Sequence, residues 1–286
     1  EKGVVHVPWY KGDALAAAKK LVQAAEKDDR DPARSAHVRM LADMVKDRLK
    51  GNLTNPTPEQ LAAIHSPLME YEELAGGSEK ARVRPWGFVR MAYIDEIDEA
   101  PQFCRAYLPP KYDPKAKWPL VVFLHGYNPR NPLYINWWSV DRRHIDWVDR
   151  YNYIMIEPHG RGNTGYAHIG QQDVLRCVQM ASEKFSVDPD RIYLIGESMG
   201  GGGTWYVGTR NPDVFAALGP IYGGWDYRAT IEPERYAKLT DDQKLLEERW
   251  SSFTQAESLL TTPVFINHGD QDEAVTVEFS RYVTRM

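Results

Sequence analysis

The chain is poor in cysteine, in basic charge and in long apolar runs, and each shortage removes a class of function. Only Cys104 and Cys177 occur among 286 residues. Two cysteines cannot staple a disulfide scaffold, and they lack the CxxC spacing of a redox or metal motif. Both lie in apolar stretches, so buried free thiols are expected. Lys and Arg number 35 against 40 Asp and Glu, a net charge of −5. This balance gives no basic footprint for nucleic acid. No apolar run approaches the about 20 residues that cross a bilayer. Neither nucleic acid nor a membrane is therefore an expected partner. The sequence opens on Glu1 with no signal-peptide pattern, which suits a mature secreted or periplasmic protein and equally a trimmed chain.

What is present is ordinary for a globular protein, 43% hydrophobic and 26% charged residues. Residues 1–80 read as a helical N-terminal extension. Asp13 can cap one helix, and Asp31-Pro32 opens a second that carries Val38, Leu41, Met44, Val45 and Leu49 and stops at Gly51. Thr57-Pro58-Glu59-Gln60 is a capping box for a third. From residue 81 to 286 the pattern changes. Residues 89–94 and 103–108 alternate like an antiparallel hairpin. Apolar runs at 120–124, 153–156, 192–195, 216–218 and 264–266 read as buried strands. Helical patterns near 141–150, 171–185, 199–210, 241–259 and 277–286 separate them. Strand alternating with helix predicts an α/β fold, a mostly parallel sheet with helices on both faces.

One junction in that alternation carries chemistry. The strand-like run Arg191-Ile192-Tyr193-Leu194-Ile195 meets Gly196-Glu197-Ser198-Met199-Gly200, and a small-residue helix follows. This is G-x-S-x-G between a strand and a helix, the context of a nucleophile elbow in an α/β-hydrolase fold. Gly196 and Gly200 let neighbouring chain crowd the turn, and Ser198 projects at the positive end of the helix. A serine nucleophile also needs a base, a group that orients the base, and donors for the oxyanion. The amide of Met199 is one expected donor. The loop Leu124-His125-Gly126-Tyr127 after the third strand supplies the other, the amide of Tyr127. His125 is expected to brace that loop. Downstream, Asn267-His268-Gly269-Asp270-Gln271-Asp272 offers two carboxylates, and either qualifies chemically as the acid. No histidine follows Asp272. Three readings of the base stay open: a last strand and histidine loop lie outside this sequence, His168 or His268 substitutes, or the protein is an inactive relative.

These residues carry a resemblance. Trp118 through Gly126, Asp188-Pro189-Asp190-Arg191, Gly196 through Thr204 and Asn211-Pro212-Asp213-Val214-Phe215 resemble α/β-hydrolase esterases. The similar branches include poly(hydroxyalkanoate)-depolymerase-like and feruloyl or acetyl-xylan esterases, and prolyl-oligopeptidase-type catalytic domains are related. The resemblance covers roughly residues 85–286. It implies a Ser-His-Asp acyl-enzyme mechanism without metal or organic cofactor. It also implies that the carboxylate three residues beyond Gly269, Asp272, is the triad acid rather than Asp270.

Aromatic loops follow two strands that lead to this site. One runs from Tyr127 to Trp138 and holds Trp137 and Trp138; the other begins Tyr222-Gly223-Gly224-Trp225, and residues 225–260 suggest a small cap. Their rings suit a sugar or a phenolic acyl group, and equally suit simple loop packing. Glu197 is a further candidate for substrate binding, with surface ion pairing as its other reading. The expected partner is a small-molecule or carbohydrate-linked ester, and the expected function is a serine carboxylesterase, including action on plant cell-wall esters. A serine peptidase of the prolyl-oligopeptidase type and a catalytically silent binding module are the alternatives.

Overall fold

The computed structural model describes residues 12–27, 32–75, 87–128, 142–224 and 233–285. The chain separates into two compact units. One comprises Glu1–Arg84 and Arg90–Phe103, the other Pro85–Val89 and Cys104–Met286.

The first unit holds helices α1 (Ala14–Ala25), α2 (Pro32–Arg48), α3 (Pro58–Ala63) and α4 (His65–Ala75). Helices α1, α2 and α4 pack on one another. Helix α1 begins where it does because Asp13 Oδ1 accepts the N–H groups of Leu15 and Ala16, each at 3.0 Å. Its Ala18, Leu21 and Val22 form the buried face. Thr57 and Gln60 cap α3 reciprocally, each side chain bonding the other's backbone N–H. Helix α2 closes at Gly51 as expected, and both Lys50 (φ +50°) and Gly51 (φ +71°) are left-handed there. Gly51 N–H reaches back to Lys46 O and Lys50 N–H to Asp47 O, which satisfies the last carbonyls. The Asp31 cap lies outside the described residues.

Six strands, β1 (Gly87–Ile94), β2 (Pro101–Leu108), β3 (Trp118–Leu124), β4 (Ile154–Pro158), β5 (Val187–Glu197) and β6 (Ala217–Ile221), form one sheet. Their order is β1-β2-β4-β3-β5-β6. Strand β2 is antiparallel to β4, while β4, β3, β5 and β6 are parallel. Helices α5 (Arg142–Tyr151), α6 (Ile169–Lys184) and α7 (Met199–Arg210) link the parallel strands. Leu120, Val122, Leu124, Ile154, Ile156 and Leu194 are fully buried, as a sheet covered on both faces requires. Between Val187 and Ile192 the register of β5 against β3 shifts. Residues 188–191 loop out there, closed by Arg191 Nε on Asp188 Oδ2 at 2.7 Å.

The expected strand at 264–266 is present only as an irregular edge. Leu218 bridges Val264 and Ile221 bridges Asn267, both parallel. The helical stretch expected at 241–259 is broken. It comprises α9 (Asp241–Trp250) and a 3-10 segment, Phe253–Leu259, after the short α8 (Pro233–Ala237); α10 (Glu278–Val283) follows later. Arg210, the last residue of α7, holds the carbonyls of Arg249 and Ser251. Ser258 Oγ donates to Thr209 O. This part of the suggested cap is thus fastened at the end of α7 remote from Ser198, and residues 225–232 lie outside the described residues. Among the described residues no helix is long and apolar enough to cross a membrane.

Candidate active site at the β5–α7 elbow

Strand order places the site before any side chain is considered. The chain leaves β3 toward β4 on one side, and leaves β5 toward β6 on the other. Connections diverging from two adjacent parallel strands open a crevice at their carboxyl ends. Register aligns what stands there. Leu124 pairs with Gly196, Glu197 with Ile221, and Ile221 with Asn267. The loops beginning at His125, Ser198, Tyr222 and His268 therefore leave the same edge in a row, each about 4.8 Å from the next.

Ser198 occupies the sharp bend of that row, with φ +53° and ψ −116°. A non-glycine residue there carries strain of about 1–3 kcal/mol and persists only where its surroundings over-determine it. They do so here. Ser198 N–H donates to Ile221 O at 3.0 Å, and Ser198 O accepts from Gly202 N–H at 3.0 Å. A Cβ on Gly200 would stand 2.0 Å from Leu124 O, and one on Gly196 2.4 Å from Gly200 O. The bend therefore touches the end of β3 directly. Ser198 Oγ makes no cap bond to α7, which leaves the hydroxyl for other work.

Met199, the buried first residue of α7, belongs to the helical turn whose N–H groups have no intrahelical acceptor. Gly126 lies alongside. A methyl on it would sit 3.6 Å from both Ser198 Cβ and Glu197 O, ordinary contact that fills the space beside Ser198. Tyr127, the next residue, is 62% exposed. His125 braces this loop. One ring nitrogen lies 2.8 Å from Gly126 O and the other 3.1 Å from His159 O. Burial holds its pKa below the ordinary histidine value, against the opposing pull of those two carbonyls and of Glu197. Tyr166, wholly buried, donates its hydroxyl to His125 O at 3.2 Å.

Asp272 is held by its own loop. Its Oδ1 accepts the N–H groups of Ala274 and Val275, both at 2.9 Å. The Val275 bond, then the Ala274 bond and the nearby His268 hold the carboxyl below its ordinary value of 3.8. Oδ2 is 3.5 Å from His268 Nε2. His268 is committed elsewhere, with Nδ1 2.8 Å from Ser280 Oγ and Nε2 2.9 Å from Val275 O. It ties the acid loop to α10. Asp270, by contrast, is exposed.

Glu197 is half-buried and accepts the Tyr222 hydroxyl at 2.7 Å on Oε2. It thereby holds the loop after β6, where a Cβ on Gly223 would meet Ser198 O at 2.2 Å. This partnership was not legible in the sequence, because residues 25 apart meet only through the β5–β6 register. Trp137, Trp138 and Trp225 lie outside the described residues. His168, at the start of α6, shares the backbone angles of Ser198 (φ +50°, ψ −114°). Its N–H lies 3.5 Å from the Tyr206 hydroxyl. Tyr206 itself stands about 12 Å of helix beyond Ser198. Among the described residues, no group of three or more His, Cys, Asp or Glu is arranged to hold a metal ion.

Comparison with known proteins agrees with this geometry. The model of the prolyl oligopeptidase family, Peptidase_S9, matches residues 138–285, just over half of the chain. A poly(3-hydroxybutyrate) depolymerase of Ralstonia pickettii is 28% identical over 130 residues, covering 37% of this chain and 25% of its own length. The human prolyl endopeptidase FAP is 23% identical over 209 residues, 66% of this chain and 27% of the human protein. The chain thus spans about a quarter of the length of these curated relatives. Among solved structures, a thermostable esterase superposes with a TM-score of 0.54 at 24% identity, over 69% of this chain and 50% of that one. A candidate dipeptidyl aminopeptidase IV from Bacteroides ovatus superposes with a TM-score of 0.58 at 20% identity, over 70% and 30%. The fold is that of the α/β-hydrolases, and the chain belongs to the prolyl oligopeptidase family of serine hydrolases.

Proposed function

We propose that this protein is a serine carboxylesterase acting on a small-molecule or carbohydrate-linked ester. The observation that carries the reading is the left-handed backbone of Ser198 at the β5–α7 bend, with Gly126 against its Cβ. Ser198 Oγ attacks the ester carbonyl. The amides of Met199 and Tyr127 receive the oxyanion, the alcohol leaves, and water releases the acid. Asp272 orients the base through Oδ2, since Oδ1 is taken by two amides. Neither His125 nor His268 is assigned as that base, because both ring nitrogens of each face other partners. The outer edge of residues 263–267 is the place for the base to arrive. Phe265 and Asn267 donate to β6. Val264 and Ile266, among the described residues, direct their backbone groups outward. A further strand of a longer polypeptide added there would deliver an imidazole beside Asp272. Trp137, Trp138 and Trp225 are proposed to line the acyl or sugar subsite.

The test is hydrolysis of a short p-nitrophenyl ester by a polypeptide that carries the added strand with its imidazole and by its Ser198→Ala variant. The expected result is turnover in the first only, with fluorophosphonate labelling confined to Ser198. Equal rates in the two proteins would refute the reading. The second reading, a peptidase, is favoured by the family match and by the prolyl endopeptidase relative. Cleavage of peptide anilides in preference to esters would establish it instead.

A further inference from the structure

The loop between β4 and α6 is unusually constrained. Gly160, Arg161, Gly162, Gly165, Tyr166 and His168 all have φ between +50° and +71°. Such backbone is costly outside glycine, and this loop is pinned from several directions. Gly160 N–H donates to Oδ2 of the buried Asp173 at 2.9 Å. Thr164 Oγ1 donates to Gly160 O at 2.8 Å, and Gly162 N–H to His159 O at 3.1 Å. The loop presents one side chain to its neighbour in a specific way. The Asn163 amide oxygen accepts Asn128 N–H at 3.0 Å, and its amide nitrogen donates to Asn128 O at 2.9 Å. A single side chain thus pairs with both backbone groups of one residue, as an adjacent strand would.

Asn128 directly follows Tyr127. Between the two braced points, His125 and Asn128, lies only the stretch Gly126-Tyr127. Gly126 has no Cβ to restrict rotation of the Gly126–Tyr127 peptide. A peptide is planar, so fixing its C=O fixes the opposed N–H. His125 addresses that carbonyl from one side, while the Asn163 clamp holds the chain on the other. We propose that Asn163 is a positioning residue, which through Asn128 holds the Tyr127 amide in its oxyanion-binding orientation. The inference rests on the hydrolase reading above. Misplacing a reacting group by about 1 Å can cost on the order of 10²-fold, and loss of one oxyanion donor costs roughly 10²–10³.

The test uses the polypeptide that carries the added strand with its imidazole, as wild type and with Asn163→Ala and Asn163→Asp. The aspartate keeps the acceptor for Asn128 N–H but sets an oxygen against Asn128 O. In Asn163→Ala, kcat for a p-nitrophenyl ester is expected to fall roughly 10–100-fold with KM unchanged. Affinity for an aryl boronic acid, whose adduct with serine is a tetrahedral anion, should fall by the same factor. Affinity for the product carboxylic acid should not move. Asn163→Asp should fold like wild type and lose activity in the same sense to a smaller degree. Hydrogen exchange at the Asn128 amide should accelerate at least ~10-fold in Asn163→Ala, a readout independent of turnover. Wild-type kcat and boronate affinity in both variants, or a rise in KM alone, would overturn the inference and leave the hydrolase reading standing. A wild-type protein that neither hydrolyses the ester nor is labelled at Ser198 would overturn both.

Discussion

Replacing Gly200 by alanine adds one methyl at the tightest contact of the elbow. That Cβ would lie 2.0 Å from Leu124 O, 2.5 Å from Leu124 C and 2.8 Å from His125 O. All three are backbone atoms at the end of β3, which is hydrogen-bonded to β4 and β5 on its two sides. Contacts under 3.0 Å essentially do not occur for real Cβ atoms, so α7 or the end of β3 must move by about 1 Å. Overpacking costs about 1–3 kcal/mol and occasionally more. With rigid backbone on both sides, roughly 3 kcal/mol is expected. In a domain of this size that lowers Tm by about 6–12 °C. Activity should fall by on the order of 10²-fold as well, because the displaced element carries Ser198 and the Met199 amide. Gly269→Ala is the matched control, since nothing lies within 4 Å of its added Cβ. The measurement is thermal unfolding of the two variants side by side, followed by ester turnover. If Gly200→Ala melts within about 2 °C of Gly269→Ala, the close approach of elbow and β3 is wrong, and the site built on it falls.

Ser198→Gly should be more stable than Ser198→Ala by about 1 kcal/mol, because relief of the left-handed strain (~1–3 kcal/mol) outweighs the entropy glycine adds to the unfolded chain (~0.5–1 kcal/mol). Equal urea midpoints would show that the bend is unstrained. Asp272→Asn should lower kcat by roughly 10⁴-fold, as loss of the orienting carboxylate does in a serine-histidine-aspartate template; an esterase indifferent to the change would remove Asp272 from the mechanism. His125, its pKa lowered by burial, takes up a proton more readily unfolded than folded. Its contribution to stability is therefore present above the ordinary value of 6.5 and is lost as pH falls toward the lowered one, by up to about 1.4 kcal/mol per pH unit. Urea midpoints at pH 7.5 and 5.5 should converge more in His125→Asn than in wild type, and parallel behaviour would contradict the assignment. Cys104 and Cys177 are both buried, and burial pushes the Cys177 thiol well above its usual range. Neither should react with a thiol reagent until the protein unfolds; rapid labelling of native protein would refute that.

Much of the backbone around the elbow was legible because its signals are local. A strand that must be buried on both faces is written as an apolar run, and Leu120 to Leu124 obeys this. A turn that admits no Cβ is written as glycine, and Gly196 and Gly200 meet backbone as that requires. The Thr57–Gln60 box and the Asp13 cap work within three residues and formed as read. The misjudged stretches are those where a local pattern met a competing one. Residues 241–259 had a helical pattern, but the chain breaks at Ser251-Ser252, both buried.

By itself, then, the sequence determined a sheet of parallel strands, an elbow serine after one of them, and a carboxylate loop after another. Each follows from chemistry confined to a few consecutive residues. Only the tertiary structure decided that Asn163 grips Asn128, that Tyr166 reaches His125, and that Tyr222 holds Glu197. These partners lie 35, 41 and 25 residues apart. Which loops become neighbours depends on the order in which strands add to the sheet, and that order is settled by packing across the whole domain rather than by any segment of it.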